Sequence, residues 1–150
     1  MAALTIRVVN MNDLPALQEL YLNLQNVEIE PLTSEGLKVW ENILKDPDYY
    51  ILVGEENGEL VSSLTLIILK NLTRNMQPYA LIENIVTAEH MRNKGYAGLL
   101  LARAVEIARD CGCFKAMLMS GSQNESTLNL YNRAGFSNRE KTAFVRYFNE

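Results

Sequence analysis

The segment from Glu83 to Gly98 constrains the fold of this chain more than any other, because it joins a strand to a long helix through a short polar loop. Ala80 to Thr87 is rich in β-branched residues, which favours a strand. Tyr96 to Cys111 carries its apolar residues on one face, and Gly112 suits the end of a helix. The first amides of such a helix have no partner within it, so they can hold an anion at the loop.

The composition of the loop suits a diphosphate. Gly95 lets the backbone approach an anion with no side chain between them, and Ala97 is nearly as small. Arg92 and Lys94 add positive charge beside it. This local charge matters because the whole chain is acidic, with a formal net charge of −4. We therefore predict a local anion site in a protein that is not a general nucleic-acid binder, since such binders normally carry a basic face.

Two common phosphate-binding motifs do not fit this loop. A Walker loop has Ser or Thr after its lysine, whereas Gly95 follows Lys94 here. A dinucleotide-binding fingerprint has three spaced glycines at the start of a helix, and Gly95 with Gly98 supplies only two. The loop therefore needs another explanation.

The rest of the chain alternates strands and helices irregularly. Tyr49 to Val53 and Leu60 to Leu69 flank an Asn-Gly turn at Asn57, which predicts an antiparallel hairpin. The other predicted strands are Leu4 to Val9, Lys115 to Ser120 and Thr142 to Phe148; the other predicted helices start at Asn12 or Asp13, run from Ser34 to Lys45, and run from Glu125 to Ala134. This order predicts one α/β domain over residues 1–150, with a mixed, largely antiparallel sheet and helices on both faces.

Composition limits the setting in which the chain works. No stretch approaches the roughly 18 apolar residues of a membrane helix, and the first ten residues do not resemble a signal peptide. Cys111 and Cys113 are too close for an unstrained disulfide and lack the second pair that a zinc site needs. We expect a cytoplasmic protein with reduced thiols, no metal, and neither a membrane nor a nucleic acid as partner.

The loop resembles a known family motif. Arg92-Asn93-Lys94-Gly95-Tyr96-Ala97 matches the pyrophosphate loop of the GNAT superfamily of acyl-CoA N-acyltransferases, which has Arg or Gln, two residues, Gly, one residue, then Gly or Ala. The segment from Asn124 to Phe136 resembles the second motif of that family, with an asparagine seven residues before a tyrosine and Gly-Phe at the helix end. The resemblance is close from Leu81 to Phe136 and implies a GNAT-like fold.

The resemblance implies an activity and a set of cofactor contacts. The expected enzyme is an N-acetyltransferase that moves an acetyl group from acetyl-CoA (coenzyme A) to a small-molecule or peptide amine while both are bound. The implied contacts are the backbone of Ile85, Val86 and Thr87 for the pantetheine arm, the amides of Arg92, Asn93, Lys94, Gly95, Tyr96 and Ala97 for the pyrophosphate, and Asn124 for the cofactor.

Two residues are implied as catalytic. Tyr131 would protonate the departing thiolate, although helical spacing alone also suits a packing role. Glu83 lies two residues before Ile85, on the same face of a regular strand, and would take the proton of the acceptor amine, although it could equally be a carboxylate at the rim of the site. A backbone amide near Val86 would polarise the acetyl oxygen. Asn124 could cap its helix as well as contact the cofactor.

Other functions stay open at this stage. The same fold could serve as a non-catalytic acyl-CoA sensor or a partner-binding module, and a different nucleotide-binding α/β domain is a third reading. The Ile82 to Ile85 strand and the Gly112 to Lys115 turn resemble glucosamine 6-phosphate N-acetyltransferases, but Asn84 stands where amino-sugar members carry Asp. A homodimer is compatible with the family.

Overall fold

The computed structural model describes residues 3–24 and 27–148, in two compact units that cover residues 1–118 and 119–150. Within these residues the strands are β1 (Thr5–Val8), β2 (Tyr49–Glu56), β3 (Glu59–Leu69), β4 (Tyr79–Thr87) and β5 (Ala116–Leu118), and the helices are α1 (Leu14–Tyr21), α2 (Ser34–Lys45), α3 (Tyr96–Asp110) and α4 (Glu125–Arg133). Only α4 belongs to the smaller unit. The predicted mixed α/β class is confirmed.

The sheet has the strand order β1-β2-β3-β4-β5. All neighbours are antiparallel except β4 and β5, which are parallel. The predicted hairpin joins β2 to β3, and Asn57 takes the left-handed conformation that its turn requires, with φ at 53°. The parallel pair needs a long crossover, which α3 provides. The larger unit is therefore a meander that ends in one β-α-β crossover.

Helices cover both faces of this sheet. Ile51 and Val53 on β2 belong to a buried cluster with Leu17 of α1 and Trp40 of α2. Gly54 points to the opposite face, because successive strand residues alternate, and a Cβ placed on it would lie 3.1 Å from a methyl carbon of Leu100 in α3. Helices α1 and α2 thus pack on one face and α3 on the other, as the sequence predicts.

An ion-pair network fixes the approach of α1 to the sheet. The guanidinium of Arg7 on β1 donates to both carboxylate oxygens of Asp13, at 2.7 and 2.9 Å, and to Glu55 of β2. The hydrogen bond from Arg7 lowers the pKa of Asp13. Asp13 also accepts from the Asn10 backbone at 2.7 Å, which closes the turn before α1. The polar network therefore ties β1, β2 and the start of α1 together.

The predicted strand from Thr142 to Phe148 is wrong. These residues form no strand in the described part of the chain, and Phe144 and Phe148 are 91% and 85% exposed. Their strand propensity reflects how well such side chains pack against a neighbouring strand, and no described strand pairs with them. Strand β5 is also shorter than predicted, since its pairing with β4 extends over three residues.

Candidate functional site

A β-bulge interrupts β4 at its centre. Pairing with β3 passes from Glu83 to Val86, so β4 advances by three residues while β3 advances by two. The extra residue arises at Asn84, whose φ of 53° is left-handed, a conformation that asparagine tolerates better than most residues. Because of this bulge, Glu83 and Val86 share a face of the sheet. The expectation from simple alternation, that Glu83 and Ile85 share a face, is wrong.

Beyond the bulge, β4 has an open edge. The parallel pairing with β5 ends at the pair of Ile82 and Leu118. From Glu83 to Thr87, no strand within the described residues of the larger unit pairs with β4 on that side. The predicted cofactor-contacting residues Ile85, Val86 and Thr87 lie on this edge. Their backbone groups are therefore placed where an extended ligand could add to the sheet.

The chain continues from this edge into the start of α3. A 3-10 turn at Glu89–Met91 leads to a loop in which Asn93 and Gly95 are left-handed, with φ of 64° and 84°. Within the described residues no side chain caps α3, and its first backbone bond runs from Leu99 to Gly95, at 3.1 Å. The N–H groups ahead of Leu99 thus face outward without an intrahelical partner. Such an end favours an anion.

The charged side chains of the loop are partly engaged by the protein itself. Lys94 Nζ lies 3.6 Å from Glu56 Oε2, and the Tyr96 hydroxyl donates to the same carboxylate. That hydrogen bond is the first cause of the raised pKa of Tyr96. Arg92 Nε donates to the Thr87 carbonyl at 3.4 Å, so its side chain reaches back to the end of β4. The backbone amides, more than free lysine charge, make this loop attractive to an anion.

Sequence reasoning missed Glu56. It is the last residue of β2, next to the hairpin turn, and it is buried although it carries a carboxylate. No local motif marks it, because its partners lie about 40 residues later in the chain. Its place directly before Asn57-Gly58 assigned it to the hairpin turn in the sequence-based prediction.

Polar groups gather on the α1 face beside the bulge. Glu83 pairs across the sheet with Thr65, and Ser63 pairs with Val86. The hydroxyl oxygens of Ser63 and Thr65 are buried and have no hydrogen-bond partner among the described residues. Each unsatisfied buried hydroxyl costs about 1–3 kcal/mol of stability. These two residues were also missed, since a Ser or Thr in a strand gives no signal of its own.

Two tyrosines border this polar group. The phenol of Tyr21, the last residue of α1, interacts with the hydroxyls of Thr65 and Ser63, which lower its pKa, but burial raises that pKa more. The pKa of Tyr49 on β2 is raised by burial first and then by the negative charges of Asp46 and Glu83. Both phenols are consequently protonated at neutral pH. They can act as hydrogen-bond donors there.

The smaller unit holds the two remaining predicted residues. Tyr131 lies on α4 and is partly buried; burial raises its pKa, and a hydrogen bond with Ser120 opposes that shift. Asn124 caps α4, because its Oδ1 accepts from the Ser126 amide at 2.9 Å. An open depression of about 460 Å³ on this helix is lined by Asn124, Glu125, Ser126, Asn129 and Arg133. The capping role of Asn124 that the sequence allowed is confirmed.

Two further features concern metal binding and membrane insertion in the part of the chain that the structure describes. Those described residues contain no group of three or more His, Cys, Asp or Glu side chains that could hold a metal ion. None of the described helices is both long and apolar enough to cross a membrane.

Comparison with known proteins identifies a family. Residues 14–136 match the model of the Acetyltransferase (GNAT) family. A solved structure of a candidate acetyltransferase from Agrobacterium tumefaciens str. C58 is 36% identical with a TM-score of 0.87, and the match covers 95% of this chain and 99% of that one. The family model therefore spans the residues of β4, the loop before α3 and both predicted motifs.

Two curated relatives resemble a part of the chain. A glucosamine 6-phosphate N-acetyltransferase from Trypanosoma brucei brucei is 31% identical over 87 residues, which are 58% of this chain and 57% of that protein. An aminoglycoside N(6')-acetyltransferase type 1 from Serratia marcescens is 33% identical over 69 residues, 46% of this chain and 47% of that protein. The chain thus matches about half the length of each.

Asn84→Val is expected to lower the free energy of unfolding by about 1–2 kcal/mol, because a β-branched residue cannot hold the left-handed conformation without strain. Asn84→Gly is the matched control, since glycine accepts that conformation freely and keeps the bulge. Urea denaturation of the three proteins measures the difference. Equal stability of the valine and glycine variants would contradict a left-handed bulge at this position.

Proposed function

This chain belongs to the GNAT acetyltransferase family, and from that premise we propose that it transfers an acetyl group from acetyl-CoA to the amine of a small-molecule or peptide acceptor, with both bound together. One observation carries this proposal. The open edge of β4 runs directly into the uncapped start of α3. An extended arm and a diphosphate can therefore bind to adjoining backbone groups of one continuous segment.

The residues of that segment fit coenzyme A. Acetyl-CoA, when bound, supplies the acetyl group as a thioester. We assign the backbone of Ile85, Val86 and Thr87 to the pantetheine arm, and the amides of the Arg92 to Ala97 loop to the diphosphate. Asn124 uses only its Oδ1 for the helix cap, so its side-chain nitrogen can donate to the cofactor. The family model covers all of these residues.

Three groups would share the chemistry. Glu83 takes a proton from the acceptor ammonium, because only the neutral amine has an electron pair for the acetyl carbon. A backbone amide near Val86 stabilises the negative charge that forms on the acetyl oxygen as the C–N bond is made. Tyr131 gives a proton to the sulfur as the C–S bond breaks. A phenol carries its proton at neutral pH, so Tyr131 has a proton to give.

Gly95→Ala is expected to weaken coenzyme A binding at least about tenfold, because it disfavours the left-handed turn that presents the amides. Gly112→Ala is the matched control: it is also left-handed, at the other end of α3, and has equally open space around it. Both should lose about 1 kcal/mol of stability. The thermal shift produced by millimolar acetyl-CoA measures binding.

The outcomes of that titration separate the candidate functions. No shift of the wild-type protein by acetyl-CoA, or a preference for ATP or a dinucleotide, would contradict the proposal. A shift without release of free thiol across a broad amine panel would favour a non-catalytic acyl-CoA sensor or partner-binding module instead. Equal loss of coenzyme A affinity in Gly95→Ala and Gly112→Ala would mean that the loop is not part of the cofactor site.

Tyr131→Phe is expected to lower kcat by about 10²-fold or more and to leave the Kd for coenzyme A unchanged, as for loss of a proton donor. Glu83→Gln should lower kcat/KM most at acidic pH, where the acceptor amine is largely protonated and the base is needed. Steady-state rates from pH 6 to 9 measure kcat and kcat/KM, and the thermal shift with coenzyme A measures its affinity. A parallel loss of coenzyme A affinity would make Tyr131 a packing residue, and an unchanged pH profile would exclude Glu83 as the base.

Several acceptors are consistent with the relatives. Their names point to glucosamine 6-phosphate and to aminoglycosides, which are both amino sugars. We include such compounds first in the acceptor class, alongside other small amines and peptides. The cytoplasmic location inferred from the sequence belongs to this proposal too, and the free thiols of Cys111 and Cys113 suit a reducing compartment.

We also propose a homodimer, supported by the C-terminal segment 142–148. Phe144, Tyr147 and Phe148 are 91%, 76% and 85% exposed, although their sequence has the composition of a strand. Large aromatic side chains in one exposed run are typical of an interaction surface. Pairing with a second copy would bury them.

Replacing Phe144 and Phe148 together with serine is expected to convert the dimer to a monomer. Leu72→Ser is the control, because Leu72 is 89% exposed but lies between β3 and β4. Light scattering over a tenfold range of protein concentration measures the mass. A wild-type monomer throughout that range, or a double variant that stays dimeric, would contradict a dimer formed through this segment.

A further inference from the structure

Two hydroxyl groups in the middle of β3 are buried without a hydrogen bond of normal geometry among the described residues. Ser63 and Thr65 are 0% and 1% exposed, and their hydroxyl oxygens have no hydrogen-bond partner in the described part of the chain. Their neighbour Ser62 is equally buried, but its Oγ donates to the Val86 carbonyl at 2.9 Å and lies 2.9 Å from Thr87 Oγ1. Buried polar groups in native proteins are nearly always bonded, and these two meet the Tyr21 phenol without a hydrogen bond of normal geometry, so they keep bonding capacity for a further partner.

The position of these hydroxyls links them to the reaction. They lie on the face covered by α1, where Thr65 pairs with Glu83 and Ser63 pairs with Val86. They are therefore next to both the proposed base and the proposed oxyanion-stabilising backbone. The phenol of Tyr21 lies against them without completing a hydrogen bond of normal geometry. Tyr21 is only partly buried, so its side chain has space on the solvent side into which it can rotate.

The chemistry of the group favours one kind of acceptor. Hydroxyl groups both donate and accept hydrogen bonds, which matches the hydroxyl groups of a ligand. The charged residues that act on Tyr49, at the border of the group, are Asp46 and Glu83, both acidic. Such surroundings attract an ammonium and repel a phosphate or carboxylate. A hydroxylated amine without an anionic group fits best.

Building on the proposed acetyltransferase function, we propose that Ser63 and Thr65 determine acceptor specificity by hydrogen-bonding the hydroxyl groups of an amino sugar that carries no phosphate. Glu83 lies beside its amino group, and Tyr21 turns away as the acceptor enters. The hydroxyl groups of the acceptor then form hydrogen bonds with Ser63 and Thr65 that the folded protein alone does not complete. A phosphorylated amino sugar is disfavoured by the same acidic border.

The test compares three amines that carry a six-membered ring: glucosamine, glucosamine 6-phosphate and cyclohexylamine, which has no hydroxyl group. Thr65→Val and Ser63→Ala are each expected to lower kcat/KM for glucosamine about tenfold and to leave that for cyclohexylamine unchanged. The ratio of variant to wild type for each acceptor cancels the difference in amine basicity. Wild type should prefer glucosamine to its 6-phosphate.

Stability provides an independent readout. Thr65→Val replaces an unbonded hydroxyl with a methyl of the same shape, so the melting temperature without acceptor should hold or rise. Ser62→Ala, which removes a bonded hydroxyl, should lower it. A lower melting temperature for Thr65→Val, or an equal loss with glucosamine and cyclohexylamine, would mean that the hydroxyl serves the fold and would overturn the inference.

Failure of the proposed function is distinguishable from failure of this inference. If the wild-type protein acetylates no amine, the thermal shift caused by millimolar glucosamine still shows whether the protein has an amino-sugar site. A shift present in wild type and lost in Thr65→Val supports an amino-sugar site without catalysis. The absence of a shift in wild type, or its retention in both variants, overturns the site whatever the activity.

Discussion

The left-handed residue at Asn84 is the constraint on which the rest of the site depends. It gives β4 one residue more than its partner strand and bends it, so pairing with β5 stops at Ile82. The conformation costs about 1–2 kcal/mol, and it persists because β3 pairs with β4 on both sides of the bulge. Pairing with β3 keeps Asn84 in this conformation, and the open edge of β4 follows from the bulge.

The loop after this strand illustrates how an acidic protein can bind an anion. The carboxylate of Glu56 offsets the charge of Lys94, and Arg92 is directed toward the Thr87 carbonyl. The remaining attraction comes from the amides at the start of α3, which act together as about half a positive charge. Amides are directional and act over a short range. The diphosphate of the proposed cofactor would therefore need no basic surface, which would also attract nucleic acid.

Local signals explain which elements could be predicted from the sequence. Helix α2 has the predicted bounds because the Thr33 hydroxyl caps its first turn and the Asp46-Pro47 pair stops it. The bulge was not predicted, since an asparagine in a β-branched run changes register only when the neighbouring strand is known. The predicted strand from Thr142 to Phe148 failed for a related reason: a strand needs a partner, and composition does not supply one.

The same distinction separates the donor side of the site from the acceptor side. In the proposed site coenzyme A is held by backbone groups, so its loop needs small residues in one short run, which a motif can record. The proposed acceptor groups Ser63, Thr65 and Glu83 come from two strands, and the bulge brings Val86 onto their face. Shifting β4 by one residue would move Val86 to the other face and leave the motif unchanged. In the proposed site the register of β4 therefore decides which groups face the acceptor amine, and the loop motif carries no information about it.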